Sequence, residues 1–290
     1  MSKWYGIDVS DNQGVIDWGR VKSAGCQFAI LRSVRRSGKI DGQFVNNLLG
    51  CRAQGIPVSV YKYTYATSQA AAQEEARQVV ELLQAHALDC QVWWDVEDRP
   101  TLAGLGRENL TNIIKAARGV IEGAGYRFCM YSGQYVIKEN WYDWTAFRDC
   151  PWWVARYPLD DDGLALRDVP EHMPPDVPMQ LNGWQWTSKG RIAGVNGNVD
   201  MDIMYQDPGQ VLETQTGMEY FTQPKVYQNG STAEPVYSST DAATKIGSLD
   251  RWEQCQCIGV YNSMACVVYN ITGTQIKKTG WVKWLGGIQD

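Results

Sequence analysis

Histidine is almost missing from this chain, with only His86 and His172 among 290 residues. Neither has a nucleophile beside it in sequence, which argues against Ser-His-Asp and Cys-His hydrolases. The eight cysteines form no C-x-x-C pair, and with so few histidines no zinc-ligand spacing arises. Most of them lie in apolar strand or helix contexts and read as reduced core thiols. No apolar run reaches about 18 residues, so no membrane-spanning helix is expected. The opening Met1-Ser2-Lys3-Trp4-Tyr5 enters a strand directly and lacks the apolar core of a secretory leader. Synthesis in a cytoplasm is therefore expected, with another route to any outside target. Positive charge is not in excess either: the net charge is −5. Attraction to nucleic acid or to an anionic membrane by bulk charge is not expected.

Phenylalanine is scarce too, five copies against 13 tryptophans and 15 tyrosines. Trp and Tyr join an apolar face to a polar handle, and sugar rings present an apolar C–H face with polar edges. Exposed copies would make stacking platforms, although ordinary core packing accounts for more than half of them. The length suits one α/β domain of about 200 residues plus a small one.

Up to about residue 206, strand and helix signals alternate. Strand-like runs are Trp4–Val9, Gln27–Arg32, Pro57–Tyr63, Gln91–Val96, Arg127–Tyr131, Pro151–Ala155, Met179–Trp186 and Val199–Ile203. In Arg107–Gly123, Leu110, Ile113, Ile114, Ala117, Val120 and Ile121 follow helical spacing. Ser68–His86 carries a second stripe, Ala72, Ala76, Val79, Val80 and Leu83. Asp17 reads as the N-cap of a short helix ending near Gly25, and Gly42–Gln54 as another closed by Gly55. Such alternation implies a parallel sheet, and eight strands imply a barrel. The later connections lack a helical period, so the second half is expected to be irregular, with loops at Trp141–Trp144 and Leu159–Pro178. Residues 207–217 read as a linker. From residue 218 to 290 short strands follow, at Lys225–Tyr227, Pro235–Tyr237, Gln254–Tyr261, Met264–Tyr269 and Gly280–Trp284, with a hairpin turn at Asn262-Ser263. This segment has six acids and six bases, so the chain's net charge belongs to residues 1–217. A neutral module would bind by shape and aromatic contact.

Three acidic signatures fall at the edges of predicted strands: Gly6-Ile7-Asp8-Val9-Ser10, Trp94-Asp95-Val96-Glu97-Asp98 and Val199-Asp200-Met201-Asp202. Carboxylates are depleted from strands and costly to bury without a partner or a task. Asp95 and Glu97, two apart, share a face. Functional groups of such barrels sit at the C-terminal strand ends, which would gather Asp8, Asp95, Glu97 and Asp200 on one rim. One carboxylate alone would read as a turn or cap residue, the role expected for Asp11, Asp17 and Asp41. Four together suit glycoside hydrolysis, where one carboxyl donates a proton and another supports the positive charge developing on the sugar. Glu97 is the best general acid, because Trp93, Trp94 and nearby carboxylates would raise its pKa.

Residues 3–206 resemble the family 25 glycoside hydrolases, the Chalaropsis-type lysozymes that include many phage endolysins. The resemblance rests on "GIDVSDNQGVIDW", "FAILRSV", "IPVSVYKYTYA", "WWDVE", "FCMYSG", "PWWVARY" and "GWQWTSKGRIAGVNGNVDMDI". It implies an irregular β/α barrel of the TIM type. The implied reaction cleaves the β-1,4 bond from N-acetylmuramic acid to N-acetylglucosamine in bacterial peptidoglycan, with retention and without metal or cofactor. By position, Glu97 matches the family's acid and Asp95 the carboxylate two residues earlier. Asp8 and Asp200 match the first-strand and last-strand aspartates. The implied intermediate forms through the substrate's own acetamido oxygen, with direct attack by an Asp as the alternative. Substrate contacts carried over are Tyr61, Tyr131, Trp153, Trp186, Asp202 and Arg32. Lys62 stands where His is common, and Asp202 where Asn is common. The C-terminal segment resembles bacterial Src-homology-3-like wall-binding modules through "AATKIGSLDRWEQCQCIGVYNSMACVVYN" and "GWVKWLGG". Its implied contacts are Tyr227, Tyr237, Trp252, Tyr261 and Trp281, and a dimerising or purely stabilising domain is the competing reading. For the whole chain the rivals are a chitinase-like hydrolase and a non-catalytic sugar binder on an inactive barrel. No oligomeric state follows from the sequence.

Overall fold

Eight strands close into a barrel in sequence order: β1 (Trp4–Val9), β2 (Phe28–Arg32), β3 (Val58–Tyr63), β4 (Val92–Asp95), β5 (Phe128–Gly133), β6 (Trp152–Ala155), β7 (Gly183–Gly190) and β8 (Val199–Met204). The computed structural model describes residues 3–86, 88–158, 161–206, 208, 219–237, 242, 245–261, 263–270 and 277–289. The chain divides into two compact units, residues 1–79 with 90–212 and residues 80–89 with 213–290. Apart from Pro208, the segment expected as a linker lies outside the described residues.

The barrel is not parallel throughout. The pairs from β1 through β7 are parallel, but β8 runs antiparallel to both β7 and β1. The all-parallel expectation fails at that strand because its connection from β7 is too short for a crossover. Residues 191–198 link the two strands, whereas a parallel return needs about a dozen residues or more. Strand β7 also begins and ends four residues later than the sequence pattern suggests.

Helices α1 (Trp18–Ser23), α2 (Phe44–Ala53), α3 (Gln69–Ala85), α4 (Arg99–Leu102), α5 (Arg107–Gly123) and α6 (Gln134–Lys138) fill the earlier connections. Asp17 caps α1, its carboxylate accepting the Arg20 N–H at 3.1 Å. Helix α5 buries Leu110, Ile113, Ile114, Ala117 and Ile121, five of the six positions its spacing picks out. The short α4 carries no periodicity to read; Asp98 caps it, accepting the Thr101 N–H at 3.1 Å, and Pro100 sits in its first turn. Between β6 and β7 the described residues contain no helix.

Inside the barrel Phe28, Ile30, Trp93, Cys129, Tyr131, Trp153, Ala155 and Met204 form the core, with Trp4 and Tyr61 against them. Gly6 makes room for this packing: a Cβ there would meet the Phe28 carbonyl oxygen at 2.5 Å and its ring at 2.6 Å. All eight cysteines are free thiols, and seven of them are buried. Among the described residues, no helix is long and apolar enough to cross a membrane.

The second unit contains an antiparallel sheet of β9 (Glu219–Gln228), β10 (Glu234–Tyr237), β11 (Lys245–Leu249), β12 (Gln254–Tyr261), β13 (Met264–Asn270), β14 (Lys277–Val282) and β15 (Ile288–Gln289), ordered β11-β10-β14-β13-β12-β9-β15. Its core gathers Tyr227, Val236, Leu249, Cys257, Ala265, Val267, Tyr269 and Val282. Two expected surface contacts, Tyr227 and Trp281, are buried. Trp252 and Trp284 are instead the exposed tryptophans, at 58% and 44%. Asn262 and the Tyr261 side chain lie outside the described residues; Ser263, beside them, has a positive φ of 59°.

Candidate active site

Antiparallel β8 decides how the carboxylates meet. Asp8 lies near the C-terminal end of β1, Asp95 ends β4, and Glu97 follows two residues later. Asp200 is the second residue of β8, at its N-terminal end. It reaches the same rim only because β8 is reversed, and it pairs directly with Asp8 across the β1–β8 ladder. Asp8, Asp95, Glu97 and Asp200 then line one cleft of about 510 Å³, with Tyr61, Tyr131 and Trp153.

Gln185 organises the floor. Its side-chain oxygen accepts from the hydroxyl of Tyr131 at 2.6 Å and from that of Tyr157. Its amide nitrogen donates to Asp8 at 2.6 Å and to Asp200 at 3.4 Å. Phenols donate and carboxylates accept, so this amide has one favourable orientation. Asp95 is buried, and its Oδ1 has no hydrogen-bond partner among the described residues. An orphaned buried acceptor is expensive unless a ligand completes it.

Burial is the main force on these acids. It pushes Glu97 up to about 7, with help from Asp200 and Asp98 and against the Tyr131 hydroxyl. Burial likewise raises Asp200 to about 7. Asp8 lies well above the usual carboxylate range through burial and its neighbours Asp200 and Asp202. Asp95 is raised by burial and Glu97, while the Lys62 ammonium pulls it the other way. Like charges gathered in low dielectric cannot all ionise. The cleft therefore holds protons at neutral pH, as a general acid requires.

The sequence profile described as Glycosyl hydrolases family 25 matches residues 7–195. The chain belongs to glycosyl hydrolases family 25. It is thus a glycoside hydrolase, and Asp8, Asp95, Glu97 and Asp200 of this family 25 enzyme face one cleft. It is 28% identical over 207 residues to the uncharacterised protein YegX of Escherichia coli K12, covering 69% of this chain and 68% of that protein. It is 25% identical over 215 residues to lysozyme M1 of Streptomyces globisporus, covering 67% and 65%. Among solved structures, the spore cortex lytic enzyme SleM of Clostridium perfringens superposes with a TM-score of 0.60 at 20% identity, covering 96% of this chain and 97% of that one. That last likeness concerns the fold.

Not every expected contact of the family 25 barrel faces the cleft. Trp186 is fully buried and absent from the lining, whereas its neighbour Gln185 lines it. Successive strand residues point to opposite faces, so one position separates an inward amide from an outward indole. Asp202 is also outside the lining and fully buried. It lies on the face of Asp200, one pleat deeper, and accepts the Trp153 indole N–H at 2.9 Å. Burial, then Asp200, holds its carboxyl well above the usual range, and its other oxygen is buried with no hydrogen-bond partner among the described residues. Arg32 does line the cleft, but its guanidinium is engaged by Asp41 at 2.7 Å and by Asp11. Asp41 also accepts the Gln43 N–H at 3.0 Å at the start of α2, so its turn role and its ion pair coexist.

The sequence reading missed Gln185, Tyr157, Tyr63, Tyr65, Arg35 and Arg36 of the lining. Parity places Gln185 on the same face as Gly183, and the fold turns that face inward, since a Cβ at Gly183 would meet Met204 and Trp153. Tyr157 and the arginines sit on loops beyond strand ends, where no periodicity marks direction.

Proposed function

We propose that the enzyme is a retaining N-acetylmuramidase acting on bacterial peptidoglycan, with Glu97 as general acid and base. The observation that carries the reading is the neighbourhood of two unlike carboxyls in one cleft. Burial pushes Glu97 up to about 7, so a share of it stays protonated near neutral pH, and Asp95 presents a buried oxygen with no hydrogen-bond partner among the described residues. Glu97 gives its proton to the glycosidic oxygen as the C1–O bond breaks. The acetamido oxygen of the same sugar closes on C1, and Asp95 accepts the acetamido N–H as positive charge spreads over the resulting ring. Asp8 and Asp200, held in place by the Gln185 amide, lie where positive charge developing at C1 would favour their ionisation. Water then attacks C1, Glu97 takes its proton back, and two inversions leave net retention. The rate should fall as pH rises past about 7, where Glu97 loses the proton it must donate.

Reducing-end release from purified peptidoglycan, wild type beside Glu97→Gln, tests this reading. Muramic-acid reducing ends identified by mass spectrometry, and lost in the variant, are expected. Glucosamine ends, or undiminished activity of the variant, would refute it. A thiazoline analogue of the acetamido intermediate should inhibit; a trapped aspartyl-sugar adduct would instead point to direct attack by Asp95. For the second unit we propose a wall-binding role in a lytic enzyme of the endolysin type, supported by its exposed tryptophans and by the resemblance of its sequence.

A further inference from the structure

Past β2 the chain makes a short excursion whose charges all have one sign. Val34 bridges to Ile40, the Arg35 N–H donates to the Lys39 carbonyl at 2.8 Å, and the Gly38 N–H returns to the Arg35 carbonyl at 3.0 Å. Gly38 sits at φ 78°, a conformation in which glycine turns the chain without strain. The segment 33–40 contains Arg35, Arg36 and Lys39 and no acid. It is anchored by the Arg35–Asp11 ion pair at 2.8 Å. Both arginines line the same cleft as the four carboxylates.

The three arginines of this cleft differ in how their charge is used. Arg32 is held by Asp41 and Asp11, and Arg35 by Asp11. Arg36 is exposed, and among the described residues it has no carboxylate partner. Its guanidinium lies over the Tyr65 ring, 4.6 Å from the centroid. A cation–π contact of this kind needs no N–H hydrogen bond, so the guanidinium fork is left for a bidentate carboxylate.

We propose that Arg36 binds a carboxylate carried on the 3-O-lactyl arm of the muramic-acid sugar, and so sets the enzyme's preference for acidic over neutral glycans. This rests on the muramidase reading. An acidic glycan brings its own negative charge into the cleft, where a fixed cation can meet it. Of the cleft's arginines, Arg36 is the one that no acid among the described residues pairs with. A neutral chitin strand has no charge to offer it.

The test compares full-length wild type and Arg36→Gln on peptide-free peptidoglycan strands and on the same strands with lactyl carboxylates converted to neutral methylamides. Wild type should show a KM about tenfold lower on the carboxylate strands, the size of one charge-assisted contact. In Arg36→Gln that difference should vanish through a higher KM on the acidic strands, with kcat little moved. A difference that survives in the variant, or none in wild type, would overturn the proposal. Cleavage of neither strand by wild type would remove the muramidase reading instead. Fluorescence titration with N-acetylmuramic acid against N-acetylglucosamine then decides the anion site alone. Tighter, Arg36-dependent binding of the acidic sugar upholds it, and equal binding of both sugars rejects it.

Discussion

Asp202 shows how much a single buried carboxyl can weigh. It is fully buried, receives the Trp153 indole N–H, and lies beneath Asp8. Its pKa in the folded chain is far above the ordinary Asp value near 4. The folded state therefore holds a proton that the unfolded chain releases. The sign follows: the stability is fully present below the unfolded value and is lost as pH rises toward the folded one. Each proton so held steepens the decline by about 1.4 kcal/mol per pH unit. Melting temperature should fall from pH 5 to pH 8 in wild type and less steeply in Asp202→Asn. That variant keeps an acceptor for Trp153 without having to stay protonated. Equal slopes, measured by calorimetry across that range, would show that Asp202 ionises freely.

Strands β1, β7 and β8 set the geometry of the cleft. Reversal of β8 brings Asp200 opposite Asp8, and parity on β7 turns Gln185 inward. Strand β1 depends on Gly6, two residues before Asp8 and opposite Asp202 in the ladder. A methyl there meets the Phe28 backbone oxygen, which has no rotamer by which to move away. Gly6→Ala should destabilise the barrel by about 1–3 kcal/mol, the usual cost of overpacking, as read from urea denaturation. It should also slow hydrolysis, because β1 carries Asp8. Unchanged stability would show that β1 can shift without cost.

Across the whole molecule, tryptophan runs from buried, through half-buried Trp4 and Trp144, to exposed. Trp93, Trp94, Trp152, Trp153, Trp184, Trp186 and Trp281 are buried, whereas Trp252 and Trp284 face solvent in the second unit. Trp252 also has a φ of 63°, a strained conformation for a large side chain. These two are close: Trp284 lies 3.4 Å from the Cβ position of Gly230, whose carbonyl accepts the Trp252 N–H at 3.0 Å. If this pair grips the wall, Trp252→Ala and Trp284→Ala should each weaken co-sedimentation with insoluble cell walls about tenfold, a loss of about 1.4 kcal/mol. Hydrolysis of soluble glycan strands should persist. Undiminished sedimentation would assign the second unit a different task.

The sequence by itself determined what depends on local pattern. The spacing of Leu110, Ile113, Ile114, Ala117 and Ile121 marked α5, and Asp17 marked the start of α1. Carboxylates set among apolar strand residues marked Asp8, Asp95, Glu97 and Asp200, because such placement is costly without a role. Tertiary structure alone decided direction and depth. Whether β8 runs up or down rests on its pairing with β1 and β7, which no residue of β8 announces. Whether Trp186 or Gln185 enters the cleft rests on register, where a shift of one residue exchanges the faces. Asp202 and Asp200 look alike along the chain, yet one pleat of depth separates a fully buried acid from one that lines the cleft.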